Sequence, residues 1–412
     1  MNVSGDAESF DLKGLRPFLS RQSEAGSLRA VLDFLKVRGP DGQPLSEGLL
    51  FGIGGGVGFS YFVFEYKAVM LKTLTLGTRI TTIEESSQPQ FLQAICDRLG
   101  VGVRVSHSSS PAAADRALSQ ALEQGLPAIA WVDLTGPPYA FPQTGDYHTS
   151  VVYRITPEEV LVAGRSRRGL ALSREAFAEA RRSMGVPKGR LLVVEPPARL
   201  LPLAAAARQG IRDSVRQMKK GVDIGKFGRN FGLQALLKWA ELLIDPKDPK
   251  GWPRFFPRGR DLLAALVAVY SQIELRGKGG GAFRGLYADF LVEAAGLMKR
   301  PALAEVAEAY RRSARSWTSL AQACLPEAEP GLASLRQMIR EREDALQKDG
   351  PEGLELARSL VPKERSLRKK LESSFPLQAS AVGDLLADLS RRVRAIHDIE
   401  AEAVAALAKI VG

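Results

Sequence analysis

The chain has 412 residues, more than one typical hydrophobic core accommodates, so two domains are expected. A hydrophobic content of 45% is that of a globular protein, and no apolar run is long enough to span a bilayer. Two cysteines and three scattered histidines exclude a disulfide framework and a multi-cysteine or His-rich metal site, and no cofactor is expected.

Met1 to Asp11 is polar and acidic and does not read as a secretory signal, so a cytoplasmic location is expected. Leu28, Val31, Leu32 and Leu35 then recur at the helical period. Ser23 stands just before them, with Glu24 and Gly26 in the first turn. A hydroxyl there can cap a free backbone N–H, and the same place suits a nucleophile, because a helix start favours an anion.

Residues 45–50 read as a short helix with Ser46 as its cap. The run Phe51-Gly52-Ile53-Gly54-Gly55-Gly56-Val57-Gly58-Phe59 follows and leads into an aromatic strand, Ser60 to Tyr66. Its glycines mark unusual dihedrals or a close approach. A strand rather than a helix comes next, and there is no Lys-Ser/Thr ending, so this is not a phosphate loop. Tight packing, or access to a neighbouring pocket, is the expectation.

A helix is predicted over 88–99, a strand over 101–105, a helix over 112–123 stopped by Gly125, and a buried strand over 128–134. A loop, Thr135 to Tyr147, leads to a hairpin with strands over 149–155 and 160–163. A helix over 173–182 and a strand over 190–195 close the region. Neighbouring strands late in this region favour an antiparallel sheet. Beyond Pro196-Pro197 the pattern is helical: 201–217, 233–244, 262–275, 283–298, 303–323, 331–346, 351–360 and 379–410. The boundary is therefore placed at 197, with one domain over 1–197 and an all-α domain over 198–412.

His148 opens a strand beside a flexible loop, from which an imidazole can reach a cleft; Asp133 and Asp146 are its candidate orienting carboxylates. Gly277 to Glu293 holds a glycine-rich turn opening a helix with Arg284, Tyr287 and Glu293 among apolar neighbours. Free N–H groups plus an Arg there make a candidate anion or carboxylate site, weighed against a plain loop and half-exposed helix.

The chain resembles the butirosin biosynthesis protein H family. The match is carried by Leu28-Arg29-Ala30-Val31-Leu32, Leu45-Ser46-Glu47, Leu50 to Phe59, Leu99-Gly100-Val101, Gly125-Leu126-Pro127, Trp131 to Leu134, His148 to Tyr153 and Val160 to Gly164, then Gly279 to Ala294 and Trp317. The glycine run is its most specific part. The resemblance implies an α+β chain: a papain-like N-terminal domain with an antiparallel sheet, followed by an all-α C-terminal domain. It implies acyl transfer from a carrier-protein thioester to an amine, with a Cys nucleophile, a His base and an orienting Asp.

This sequence departs from that pattern. The family's His-Cys pair falls on Gln22-Ser23, its His on His148, and its Asp on Gly164. A thiol with a pKa near about 8.5 can be made largely thiolate at a helix start, whereas a serine needs an efficient general base. Ser23 and His148 are the expected catalytic pair, with Gln22 as a candidate oxyanion donor. Gly54, Gly55, Gly56, Tyr61, Arg284, Tyr287 and Glu293 are the expected substrate contacts.

Three readings follow. One is an acyl- or aminoacyl-transferase acting on a small-molecule acceptor, another is a degenerate member that binds or scaffolds, and the third, ranked well below them, is a papain-like hydrolase. The net charge of +11, mostly beyond residue 200, suits an acidic partner such as nucleic acid, an anionic membrane surface or a carrier protein; with the resemblance, an acidic acyl-carrier protein is the expected partner, and no specific nucleic-acid site is expected. The long last helix is a candidate surface for homo-oligomers.

Overall fold

In a computed structural model of the chain, the described residues are 9–66, 71–80, 90–132, 148–182, 188–222, 225–275, 279–349 and 351–412. They divide into two compact units that alternate along the chain. The first takes its residues from Met1–Leu50, Ile83–Leu201 and Arg342–Arg358. The second takes them from Phe51–Thr82, Pro202–Glu341 and Ser359–Gly412.

The first unit is built on an antiparallel sheet. Its strands are β1 (Phe10–Asp11), β4 (Gly102–Ser106), β5 (Ala128–Val132), β6 (His148–Ile155), β7 (Glu159–Ala163), β8 (Leu170–Ser173) and β9 (Leu191–Glu195). Among the described residues their order is β4-β9-β5-β6-β7-β8, with β1 added to β6. β5 is buried along its whole length, as its unbroken apolar run Ala-Ile-Ala-Trp-Val requires. β6 pairs with it in the register Val132↔His148 and Trp131↔Thr149. Four helices join this sheet: α1 (Ser23–Phe34), α3 (Gln90–Leu99), α4 (Pro111–Glu123) and α5 (Arg174–Arg182). α4 is capped by Ser110, whose hydroxyl accepts from Ala113 N–H. Gly100 and Gly125 follow α3 and α4 with φ of +70° and +71°, the left-handed conformation that ends a helix.

The second unit holds the expected helices: α6 (Leu203–Lys220), α7 (Gly232–Ile244), α9 (Arg260–Glu274), α10 (Arg284–Met298), α11 (Ala302–Cys324) and α14 (Ala379–Val411), with a short α8 (Trp252–Phe255). Two of the divisions between the units fall within α12 (Pro330–Asp349) and α13 (Pro351–Ser373). A β-hairpin also belongs here: β2 (Val57–Tyr66) against β3 (Leu71–Arg79). β3 lies outside the strands predicted from sequence, although Thr73, Leu74, Thr75 and Leu76 alternate at the strand period. Its edge is closed by a side chain: Gln272 accepts from Leu76 N–H at 2.8 Å and donates to Leu74 O at 3.2 Å.

The hairpin supplies Phe59 and Tyr61 to an aromatic stack with Trp239 and Trp317, ring centroids 5.5–6.2 Å apart. α2 (Glu47–Ile53) precedes the hairpin, and Ser46 caps it as expected, its hydroxyl accepting from Leu49 N–H at 2.9 Å. Burial along α14 runs Leu386, Leu389, Ser390, Val393, Ile396, Glu400, Ala403, Val404, Leu407 and Val411, a helical stripe with one charge in it.

Candidate active site

Ser23 is the first residue of α1, but it is not the cap. Gln22 occupies that position in extended conformation (φ −134°, ψ 119°), and its side-chain oxygen accepts from Ala25 N–H at 2.7 Å. Its amide nitrogen donates to Glu24 Oε2 at 3.0 Å. Gln22 thus engages both its side-chain oxygen and one N–H of its amide nitrogen at the helix start. Ser23 is half-buried, and its hydroxyl has no hydrogen-bond partner among the described residues.

The segment around Ser23 is fixed at both ends. Upstream, Ser20 donates to Gly164 O from its backbone at 3.1 Å and from its hydroxyl at 2.8 Å. Downstream, the buried hydroxyls of Ser27 and Thr149 lie 3.1 Å apart. Ser27 follows Ser23 by one helical turn on the same face, and His148 directly precedes Thr149. Gly26 lets this arrangement close, since a Cβ there would collide with Ser20 Cβ. The residues flanking Ser23 are thereby tied to Gly164 and to Thr149, the neighbour of His148 in sequence. His148 is half-buried at the start of β6. Asp133 and Asp146 lie outside the described residues.

Gly164 does more than omit a carboxylate. Its φ is +127°, a region L-residues rarely adopt. A Cβ there would lie 3.5 Å from Thr149 O and 3.6 Å from the Phe18 ring, ordinary contact. The backbone, not the space, disfavours a side chain. The next residue, Arg165, pairs with Glu343 at 3.3 Å.

Sequence reasoning passed over Glu47. Its Oε1 accepts from Arg21 N–H at 2.7 Å and from Gln22 N–H at 2.6 Å. Burial raises its pKa, against the opposing effect of those hydrogen bonds and of the Arg21 and Arg29 charges. An acidic residue opening α2 was the only local signal; the contact spans more than twenty residues.

The expected substrate contacts of the second unit are mostly interior. Gly54, Gly55 and Gly56 are buried. Gly55 (φ +110°) leaves its missing Cβ's place to Ile80, and Gly56 (φ +63°) leaves its own to the Tyr287 ring. Tyr61 is 1% exposed and its hydroxyl accepts from Trp252 Nε1 at 2.9 Å. Tyr287 is fully buried, edge-on to Tyr310 with centroids 4.8 Å apart.

Arg284 is fully buried as well, on the inward face of a helix whose other face, with Val292 and Gly296, is exposed. Its guanidinium donates to Glu400, Thr78 O, Ala282 O and Gly58 O, leaving no donor for a bound anion. Packing and internal bonding, rather than ligand contact, account for these residues. Glu293 is half-buried.

Residues 22–164 match the family model described as Butirosin biosynthesis protein H, N-terminal, and residues 175–348 match the one described as Domain of unknown function (DUF4872). This pairing places the chain among biosynthesis-related proteins of secondary metabolism. The chain belongs to the butirosin biosynthesis protein H-like family. No curated protein matches it significantly. Among the described residues no helix is long and apolar enough to cross a membrane.

Proposed function

We propose that the chain is an acyl- or aminoacyl-transferase-like protein in which Ser23 takes the place of the family's nucleophile. The observation that carries this reading is the contrast at the helix start. Ser20, Gln22, Ser27 and Glu47 are all engaged, while the Ser23 hydroxyl is not.

In this reading His148 accepts the Ser23 proton as the oxygen attacks a thioester carbonyl. The C–S bond breaks and the thiol leaves with a proton. An amine or hydroxyl of a small acceptor then attacks the resulting ester, and the Ser23 oxygen leaves and regains its proton. The backbone N–H of Ser23, which has no intrahelical acceptor, is the donor available to the developing oxyanion. An acidic carrier protein suits the basic composition of the second half of the chain. The papain-like assignment of the first unit rests on the same pairing of a nucleophile at a helix start with a His at a strand start.

A second reading, a family member that binds without turning over, is favoured by Gly164. In a serine triad, loss of the orienting carboxylate costs about 10⁴ in rate.

Intact-mass analysis after incubation with an acyl-thioester separates the two. A covalent adduct that is absent in Ser23→Ala supports transfer. No adduct on the native chain, with one on Ser23→Cys, establishes a preserved but silent site. No adduct on either removes Ser23 from the chemistry.

A further inference from the structure

At the entry to α1 a single oxygen atom accepts two successive backbone donors. Glu47 Oε1 receives the N–H groups of two successive residues, Arg21 and Gln22. With its backbone N–H satisfied in this way, Gln22 holds the extended conformation in which its own side chain caps the helix. The same contact brings a carboxylate to within one residue of Ser23. A helix start stabilises negative charge, and a carboxylate already there opposes a second anion beside it. The charged groups around Glu47 are Arg21 and Arg29, while Glu24 lies on the other arm of the cap, held by Gln22.

We propose that Glu47 is a positioning residue for the Ser23 site, its hydrogen bonds fixing the start of α1 and its charge restraining the acidity of whatever group stands at position 23. The inference rests on residue 23 being the reactive position, but its test needs no turnover.

In Ser23→Cys the new thiol reports the local field. Cys96 and Cys324 are fully buried and do not compete. The rate of alkylation by iodoacetamide is followed from pH 6 to 10 in Ser23→Cys and in Ser23→Cys/Glu47→Gln, where the amide oxygen can still accept both N–H groups. The double variant should titrate at lower pH and react about three- to tenfold faster at pH 7. An unchanged profile, or a less acidic thiol, overturns the electrostatic role.

Positioning is read separately in the otherwise native chain by NMR. The Arg21 and Gln22 amide resonances should titrate together, lose that titration in Glu47→Gln while remaining downfield, and lose their downfield position in Glu47→Ala. Amides unaffected by Glu47→Ala overturn the positioning role. If no acyl adduct ever forms but the thiol profile shifts as described, transfer fails as the function and the role of Glu47 stands.

Discussion

Arg284 and Glu400 form a two-point ion pair, Nε to Oε1 at 2.8 Å and Nη2 to Oε2 at 3.0 Å, with neither side chain exposed. They join the start of α10 to the middle of α14. Ser313 and Trp317 donate to the same carboxylate oxygen at 2.7 and 2.8 Å, and the remaining guanidinium donors end on backbone carbonyls of the hairpin region and of Ala282. Burying two charges is costly, and full hydrogen bonding is what makes it tolerable. Removing one partner leaves the other stranded. Arg284→Ala or Glu400→Ala should therefore destabilise the protein by about 3–5 kcal/mol, read by urea unfolding.

The same pair sets a pH dependence. Burial by itself pushes the Glu400 carboxyl up, but the Arg284 charge and the hydrogen bonds from Arg284, Ser313 and Trp317 bring it below its ordinary value of 4.5. A depressed carboxylate contributes stability that is present above its unfolded pKa and lost as pH falls through the folded one. Thermal melts from pH 6 downward should show a loss beginning near 4.5 and continuing below it. An apolar replacement of both residues, Arg284→Met/Glu400→Leu, should flatten that part of the profile.

Gln22→Ala removes the cap of α1 and leaves the Ala25 N–H without its acceptor. The expected cost is about 0.5–2 kcal/mol, measured as a fall in unfolding midpoint. Because both ends of the Gln22 amide are engaged locally, the replacement should act on stability. A drop in Ser23 acylation with stability intact would instead return Gln22 to the chemistry.

Restoring an aspartate at position 164 should not restore a triad. Asp at a φ of +127° carries about 1–3 kcal/mol of backbone strain, although the Cβ itself has room. Gly164→Asp should melt lower than the native chain. Combined with Ser23→Cys, it should give no faster acylation from a thioester than Ser23→Cys alone.

Gly210→Ala would drive a Cβ into Gly52 O and against Ile53, and Gly56→Ala would drive one into the Tyr287 ring at a φ of +63°. Each should destabilise the protein by about 1–3 kcal/mol through overpacking, Gly56→Ala through strain as well, read as a lower melting temperature. Gly285 has open space where its Cβ would stand, so Gly285→Ala within α10 should be tolerated and serves as the control.

Most helices beyond residue 200 were legible because their apolar residues repeat at the helical period. The antiparallel arrangement followed from neighbouring strands late in the first region. What escaped was the non-local. Arg284 looked like an anion site because its counter-charge stands 116 residues away. The faint signal was Glu400, the one charge in the buried stripe of α14.

Ser23 was a candidate for the cap because Ser is preferred there, yet Gln22 takes that position where Glu47 accepts the backbone N–H groups of Arg21 and Gln22. The glycine run did read as a site of close packing. Its partners, Phe290, Tyr287 and Gly210, were not visible, since nothing in a local pattern names the helix that will press against it.

The alternation of the two units along the chain has a consequence for synthesis. The unit that contains Ser23 is not complete until Arg342–Arg358 has been made, and the hairpin of β2 and β3 emerges long before α7, α9 and α11, against which it packs. Phe59, Tyr61, Leu74 and Leu76 are therefore made well before the helical residues of their core cluster. A fragment cut at the end of the N-terminal family match, residue 164, would lack β8, β9 and the 342–358 segment, and would retain the hairpin without its cover. Such a fragment should aggregate rather than fold, and ribosome-bound intermediates should recruit chaperones until the last helices arrive.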